Sequence, residues 1–255
     1  MCNGITYSVL GPLTLRQDGN DVPLPTRRSR ITLSHLLADL GRYTHKDALL
    51  ESLDTGRENR SGHSQLHKAL SELRKTAVPV ERHGEAYRLI ADRTDVDCHV
   101  FDDLRRQGEK HASDERLDEA ADCLSRSLSL WKGKPFSELD SPHLAANSDF
   151  WCELHVSTLE TFMDVQLRRG RHREVIADLR KLTRQYELRE AFFAQLMIAL
   201  YHSFRMSEAL MVFDDLRSRL LETLGTDPSP DLQLLRLRIL RQEPDLPASR
   251  VTCTS

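Results

Sequence analysis

Long apolar runs are missing from this chain: nowhere in its 255 residues do the ~18 uninterrupted apolar residues of a membrane span occur. Met1 to Leu10 contain no Lys or Arg and lead straight into a strand-like pattern. A signal peptide would need a basic start and a longer apolar stretch there, so a soluble, cytoplasmic protein is expected. Glycine and proline are sparse, at 11 and 10, which excludes collagen-like and low-complexity chains. The five cysteines, Cys2, Cys98, Cys123, Cys152 and Cys253, form no C-x-x-C pair and read as free thiols, the middle three on helix faces. Eleven histidines supply no H-E-x-x-H and no Cys/His cluster at zinc spacing, so no metal and no cofactor are expected. Neither G-x-S-x-G nor G-x-x-x-x-G-K-[ST] is present. The carboxylate pairs Asp102-Asp103 and Asp214-Asp215 are adjacent in sequence and point about 100° apart on a helix, so neither converges as an acid/base couple. An enzyme is not expected.

What is present is enough for a folded core: 39% hydrophobic and 29% charged residues, over a length that suits one large domain or two ordinary ones. The net charge of -3 conceals a division. Residues 1–95 carry 14 Lys+Arg against 12 Asp+Glu, plus five His, and the remainder carries 22 against 27. A mildly basic head precedes an acidic body.

Residues 1–95 change periodicity twice. Tyr7, Val9, Leu13 and Leu15 alternate with smaller or polar residues, Asp18-Gly19-Asn20 signals a turn, and Val22 and Leu24 resume the alternation. A small antiparallel sheet is expected. Thr26 can cap a helix whose apolar residues Ile31, Leu33, Leu36, Leu37 and Leu40 run to Gly41. Thr44, with Asp47 three residues on, can cap a second. Residues 54–60 have no apolar member and read as a loop, and a third helix is predicted from about Ser61 to Thr76. Val78, Val80, Tyr87 and Leu89 flank His83-Gly84-Glu85-Ala86, a β-hairpin pattern. Sheet, three helices and hairpin together give an α+β winged helix-turn-helix with an extra N-terminal sheet.

From Val96 the apolar spacing becomes three and four, and only helices are predicted: Cys98–Lys110, Arg116–Trp131, Phe150–Arg169, Arg171–Tyr186, Arg189–Ser203, Met206–Leu224 and Asp231–Arg241. A 34-residue echo aligns Glu174-Val175 with Glu208-Ala209, Leu179 with Phe213, Leu182 with Leu216 and Gly170 with Phe204. That is the tetratricopeptide repeat period, in which stacked helix pairs bury faces neither could bury alone. An earlier copy, Glu119-Ala120 and Leu124, lies 55 residues ahead, so an insertion over roughly 132–149 reads as a loop. The expected domains are 1–95, an all-α tetratricopeptide-like body over 96–243, and a disordered tail over 244–255.

On a helical wheel Leu66, Leu70, Leu73 and Ala77 fall on one stripe with Ala69 beside it. The opposite face carries Ser61, Ser64, Lys68, Ser71 and Lys75, with Arg60 preceding it and His67, Glu72 and Arg74 at its edges. Small hydroxyls let a helix approach a major groove and lysines reach phosphates. From periodicity alone this face reads equally well as a solvated one. The hairpin tips the balance, because Arg82 and His83 lie at its turn and Arg88 on its return strand, positions that suit the DNA backbone or minor groove. Arg27 and Arg28 open the first helix, where basic side chains and free N–H groups together suit a phosphate.

The run Glu208-Ala209-Leu210-Met211-Val212-Phe213-Asp214-Asp215-Leu216-Arg217, followed by Leu220 and Leu224-Gly225-Thr226-Asp227-Pro228-Ser229-Pro230-Asp231-Leu232, resembles the C-terminal signature of the Streptomyces antibiotic regulatory proteins (SARP). Val96-Asp97, Phe101, Leu130-Trp131-Lys132-Gly133 and Arg169-Gly170-Arg171-His172 are similar to the family's bacterial transcriptional activation domain. Leu10-Gly11-Pro12-Leu13 and Leu70-Ser71-Glu72-Leu73-Arg74-Lys75 fit its OmpR-type winged helix. The resemblance implies an activator of a secondary-metabolite gene cluster. Such an activator binds direct repeats in double-stranded promoter DNA as a side-by-side homodimer and contacts RNA polymerase and its sigma factor. It would be cytoplasmic and nucleoid-associated. It implies DNA contacts from Ser64, Lys68, Ser71, Arg74, Lys75, Arg82 and Arg88. A repressor shares these features, and an adaptor whose helical half takes a peptide or small effector is the other alternative.

Overall fold

The computed structural model describes residues 4–53, 62–136, 141–243 and 246. The expectations placed on Cys2, Arg60, Ser61, the loop 54–60, Cys253 and the tail 244–255, Leu246 apart, lie outside the described residues. The chain is mostly helical, with small sheets towards its N-terminus. By packing it divides into two compact units, one of residues 1–106 and 126–156, the other of 107–125 and 157–255.

In the first unit, β1 (Ile5–Ser8), β2 (Thr14–Gln17) and β3 (Asn20–Asp21) form an antiparallel sheet in that order. Tyr7 stands opposite Leu15, and both are buried with Ile5, as the alternation predicts. Asp18 and Gly19 both take positive φ, 49° and 83°, the two-residue turn whose twist matches the strands it joins. Then come α1 (Arg27–Ala38), β4 (Thr44–His45), α2 (Lys46–Leu53), α3 (Gly62–Lys75), β5 (Val80–His83) and β6 (Ala86–Leu89), with a second sheet ordered β4-β6-β5. Two expectations are corrected here. Thr44 does not cap a helix: it is buried in β4 opposite Tyr87, and strand pairing overrides its capping tendency. Ala77 does not extend the apolar stripe of α3. It is exposed with φ of 57°, and the N–H of Val78 turns back to the Leu73 carbonyl at 3.0 Å. That is a left-handed helix end, which hands the core position to Val78.

The core of this unit runs from Tyr7 and Leu15 through Leu33, Leu36, Leu49, Leu66, Leu70, Leu73 and Tyr87 to Val96, Phe101 and Trp151. It therefore draws on the starts of α4 (Asp97–Ser113) and α6 (Pro142–Arg168). Asp97 is the polar joint: its carboxylate accepts the N–H of Val9 at 2.8 Å and of Leu10 at 3.3 Å. Burial pushes its pKa up, and these donors only partly oppose the shift. The Leu10 carbonyl in turn accepts the Lys132 N–H at 2.7 Å. The expected loop over 132–149 is shorter than predicted, because α6 begins at Pro142, eight residues before Phe150. Its buried stripe is Leu144, Ser148 and Trp151. The middle member is a serine, whose hydroxyl donates to the Pro135 carbonyl at 2.8 Å, so hydropathy alone does not reveal the period.

In the second unit α5 (Leu117–Ser129) contributes its first part, followed by α7 (His172–Gln185), α8 (Glu190–His202), α9 (Met206–Leu224) and α10 (Pro230–Leu240). α8 packs on α7 and on α9, and α10 on both α8 and α9. The internal echo is structural. Glu115, Gly170 and Phe204 all take positive φ, 59°, 74° and 62°. The next residue's N–H, from Arg116, Arg171 and Arg205, returns to the carbonyl five positions back at 2.9, 3.0 and 2.9 Å. The aligned Ala120, Val175 and Ala209 are buried, as are Leu124, Leu179 and Phe213. Gly108 is needed for close approach: a Cβ there would lie 2.6 Å from the Leu124 side chain.

Replacing Asp97 strands two buried donors. Asp97→Ala should lower unfolding stability by about 1–3 kcal/mol, and Asp97→Asn, which keeps one acceptor, by less. Urea denaturation measures both, and equal losses would show that the hydrogen bonds are not the cause.

Candidate nucleic-acid interface

α3 is sharply two-faced. Leu66, Ala69, Leu70 and Leu73 are buried, while Ser64, Lys68, Ser71, Arg74 and Lys75 are exposed together with His63 and His67. The first set packs α3 on α1 and α2. Among the described residues Lys68, Arg74 and Lys75 have no ion-pair partner, so their charge is directed outward. The helix has one acidic residue, Glu72, and it does not share that face. Its carboxylate accepts the Thr26 hydroxyl at 2.6 Å.

Thr26 is thereby used twice. Its oxygen also accepts the Ser29 N–H at 3.2 Å, and the Ser29 hydroxyl reciprocates towards the Thr26 N–H, completing a capping box on α1. A carboxylate at this end of the helix is favoured by the helix dipole. The open set of N–H groups expected at Arg27 and Arg28 is accordingly narrowed: the cap closes that of Ser29, and Glu72 brings its own negative charge to the same end. The side chains of Arg27 and Arg28 themselves are exposed.

The hairpin closes through Gly84, at φ 58°, and Glu85. Arg82 and His83 end β5 and are exposed. Arg82 Nε donates to the Gly84 carbonyl at 2.8 Å, and its guanidinium lies 5.9 Å from the Tyr87 ring. Arg88 is differently placed. It grips Glu81 Oε2 at 3.1 and 2.5 Å and lies over the Tyr43 ring at 4.6 Å, while the Tyr43 hydroxyl donates to the same oxygen at 2.8 Å. The Tyr43 bond, then Arg88, hold the Glu81 carboxyl below its ordinary range. Glu85 is likewise lowered by its bond to Lys46. Arg60 lies outside the described residues. Tyr43, which organises this side of the hairpin, was not identifiable from sequence, because only the pairing of β4 with β6 brings it there.

A family model, the bacterial transcriptional activator domain, matches residues 96–240. Regulatory protein AfsR of Streptomyces coelicolor is 33% identical over 95% of this chain, and regulatory protein DnrI of Streptomyces peucetius 29% over 94%. The chain spans 25% of AfsR and 93% of DnrI. Among solved structures, Mycobacterium tuberculosis EmbR in complex with a low-affinity phosphopeptide superposes with a TM-score of 0.91 at 30% identity. The match covers 96% of this chain and 67% of that one.

Because Thr26 joins the cap to the α1–α3 contact, Thr26→Ala should cost about 1–2 kcal/mol. The pair Thr26→Ala with Glu72→Ala should cost less than the two single losses added, by about 0.5 kcal/mol or more. A chemical-denaturation double-mutant cycle measures this, and strict additivity would dissolve the link.

Proposed function

The chain belongs to the Streptomyces antibiotic regulatory protein family, and from that membership we propose that it is a sequence-specific DNA-binding activator of a secondary-metabolite gene cluster. Its relatives carry the names of regulators. In the proposed reading residues 1–95 act as a winged helix-turn-helix and the helical body over 96–243 as a tetratricopeptide-like activation domain. Two copies bind side by side on direct repeats in promoter DNA, and the body recruits RNA polymerase and its sigma factor, in the cytoplasm and at the nucleoid.

The single observation behind this reading is the exposed face of α3, from which the helix's one acid has been withdrawn onto Thr26. Ser64 and Ser71 are short enough to let the backbone approach base edges, and Lys68, Arg74 and Lys75 are placed for phosphates. Arg27, Arg28, Arg82 and His83 add positive or titratable groups from two other elements. Arg88 reaches a phosphate only by giving up Glu81. Among the described residues no helix is long and apolar enough to cross a membrane.

Each phosphate contact removed should flatten the slope of log K against log salt by about 0.9. Lys68→Ala and Lys75→Ala should each show that change, and Arg88→Ala a smaller one. Lysine variants with wild-type slopes would contradict the assignment. Ser64→Ala or Ser71→Ala should instead alter which sequences are selected, with nonspecific affinity nearly constant. Footprinting on promoters of neighbouring genes should give two equally oriented protected blocks about one helical turn apart. A palindromic footprint would count against direct-repeat binding.

A further inference from the structure

His35 and Asp39 lie four residues apart at the end of α1, and His143 is the second residue of α6. Within the first compact unit these three bring their ligand atoms within 4.8 Å of one another. His35 Nδ1 and His143 Nε2 each stand 3.5 Å from the same oxygen, Asp39 Oδ2. That separation is longer than the usual N–H···O hydrogen bond of about 2.9–3.0 Å. It is close to the edge of a tetrahedron around a zinc ion, since bonds of about 2.0–2.1 Å set ligand atoms about 3.3 Å apart.

A second observation concerns burial. His35 is 3% exposed and its Nδ1 has no hydrogen-bond partner. Ser141, 4% exposed, has an unpartnered hydroxyl in the wall of the same cavity of about 240 Å³. Two orphaned polar atoms facing one small cavity are unusual, because each forfeits its water without replacement. An ion with a bound water supplies both with a partner.

We propose that His35, Asp39 and His143 form a zinc site. Two imidazoles and one carboxylate are ligands that zinc, a borderline-soft ion, takes, and the cavity, which Glu51 also lines, leaves a fourth position for water. Thr44 Oγ1 lies 3.4 Å from Asp39 Oδ2, and Asn147 Nδ2, which donates to the His143 carbonyl at 3.2 Å, also lies 3.4 Å from His143 Nε2, a contact that a bound ion would replace. The two rings lie stacked, centroids 4.1 Å apart and 12° from parallel. In this stacked arrangement the in-plane lone pairs do not converge, so the proposed site requires His143, with its side chain 39% exposed, to turn towards the buried His35. The ion would clip the end of α1 to the start of α6, and so tie the segment carrying the proposed reading face to the segment matched by the activator-domain model. Metal occupancy thereby becomes a determinant of how firmly that joint is held.

The test uses the full chain, stripped with chelator and titrated with zinc chloride by calorimetry, with Co²⁺ as a spectroscopic probe. One equivalent should bind, with a tetrahedral cobalt spectrum and a raised Tm. His143→Gln and Asp39→Asn should weaken binding by more than about 100-fold and abolish the Tm shift, given that even outer-contact changes cost 10–100-fold. His172→Gln, which removes the partner stacked on His202, should leave it unchanged. In the wild-type chain, where folding of variants is not at issue, the imidazole resonances of His35 and His143 should shift together at one equivalent. No zinc binding, binding unaltered by His143→Gln and Asp39→Asn, binding lost instead on thiol blocking, or shifts confined to other histidines would each overturn the proposal.

Discussion

A half-buried carboxylate anchors the first compact unit. Asp97 sits in the first turn of α4, where the helix dipole favours it, and takes the N–H groups of Val9 and Leu10 as β1 leaves its sheet. The isolated parallel bridge between Tyr7 and Val96 lies beside it. Burying a charge is costly unless it is well bonded, and burial holds the Asp97 carboxyl above its ordinary range although the N–H groups of Val9, Leu10 and Cys98 oppose the shift. What offsets the remainder is the apolar core that continues without a break from Tyr7 and Leu15 to Phe101 and Trp151. The compact unit consequently extends past the start of the activator-domain match at residue 96, because the N-terminal sheet has no separate core of its own to close.

The same economy governs the exposed face of α3. A helix presenting Lys68, Arg74 and Lys75 would ordinarily recruit an acid alongside them. Here Glu72 is committed elsewhere, to the hydroxyl that also caps α1. One hydroxyl, through two hydrogen bonds, thus links two helices, satisfies a helix end and leaves the cations unpartnered among the described residues. In the hairpin the division is different: Arg88 is neutralised by Glu81 over Tyr43, while Arg82 stays exposed. Positive residues of similar appearance in the sequence are therefore unequal in the charge they present.

Much of this was legible in the chain itself. Period-two alternation marked Tyr7 and Leu15, period-3.6 stripes marked Leu66, Leu70 and Leu73, and a 34-residue echo marked helix ends that share left-handed residues at Gly170 and Phe204. These are local signals: each follows from side-chain spacing and backbone preference over a few turns. The signals that failed were those in which a distant partner decides. Thr44 pairs with β6 instead of capping, and Ser148 occupies the core stripe of α6 because the Pro135 carbonyl is there to receive it, whereas Ala77 yields to Val78 at a local left-handed helix end.

The sequence by itself determined the order of the helices, the two-faced character of α3, the uneven distribution of charge and the family. Only the tertiary structure decided which cations stay unpaired, where Glu72 goes, how far the first core extends beyond residue 95, and that His35 and His143 meet at Asp39. Periodicity specifies which face of an element is apolar. It carries no information on which polar group from another part of the chain will be brought within bonding distance, since that depends on how the apolar faces close on one another.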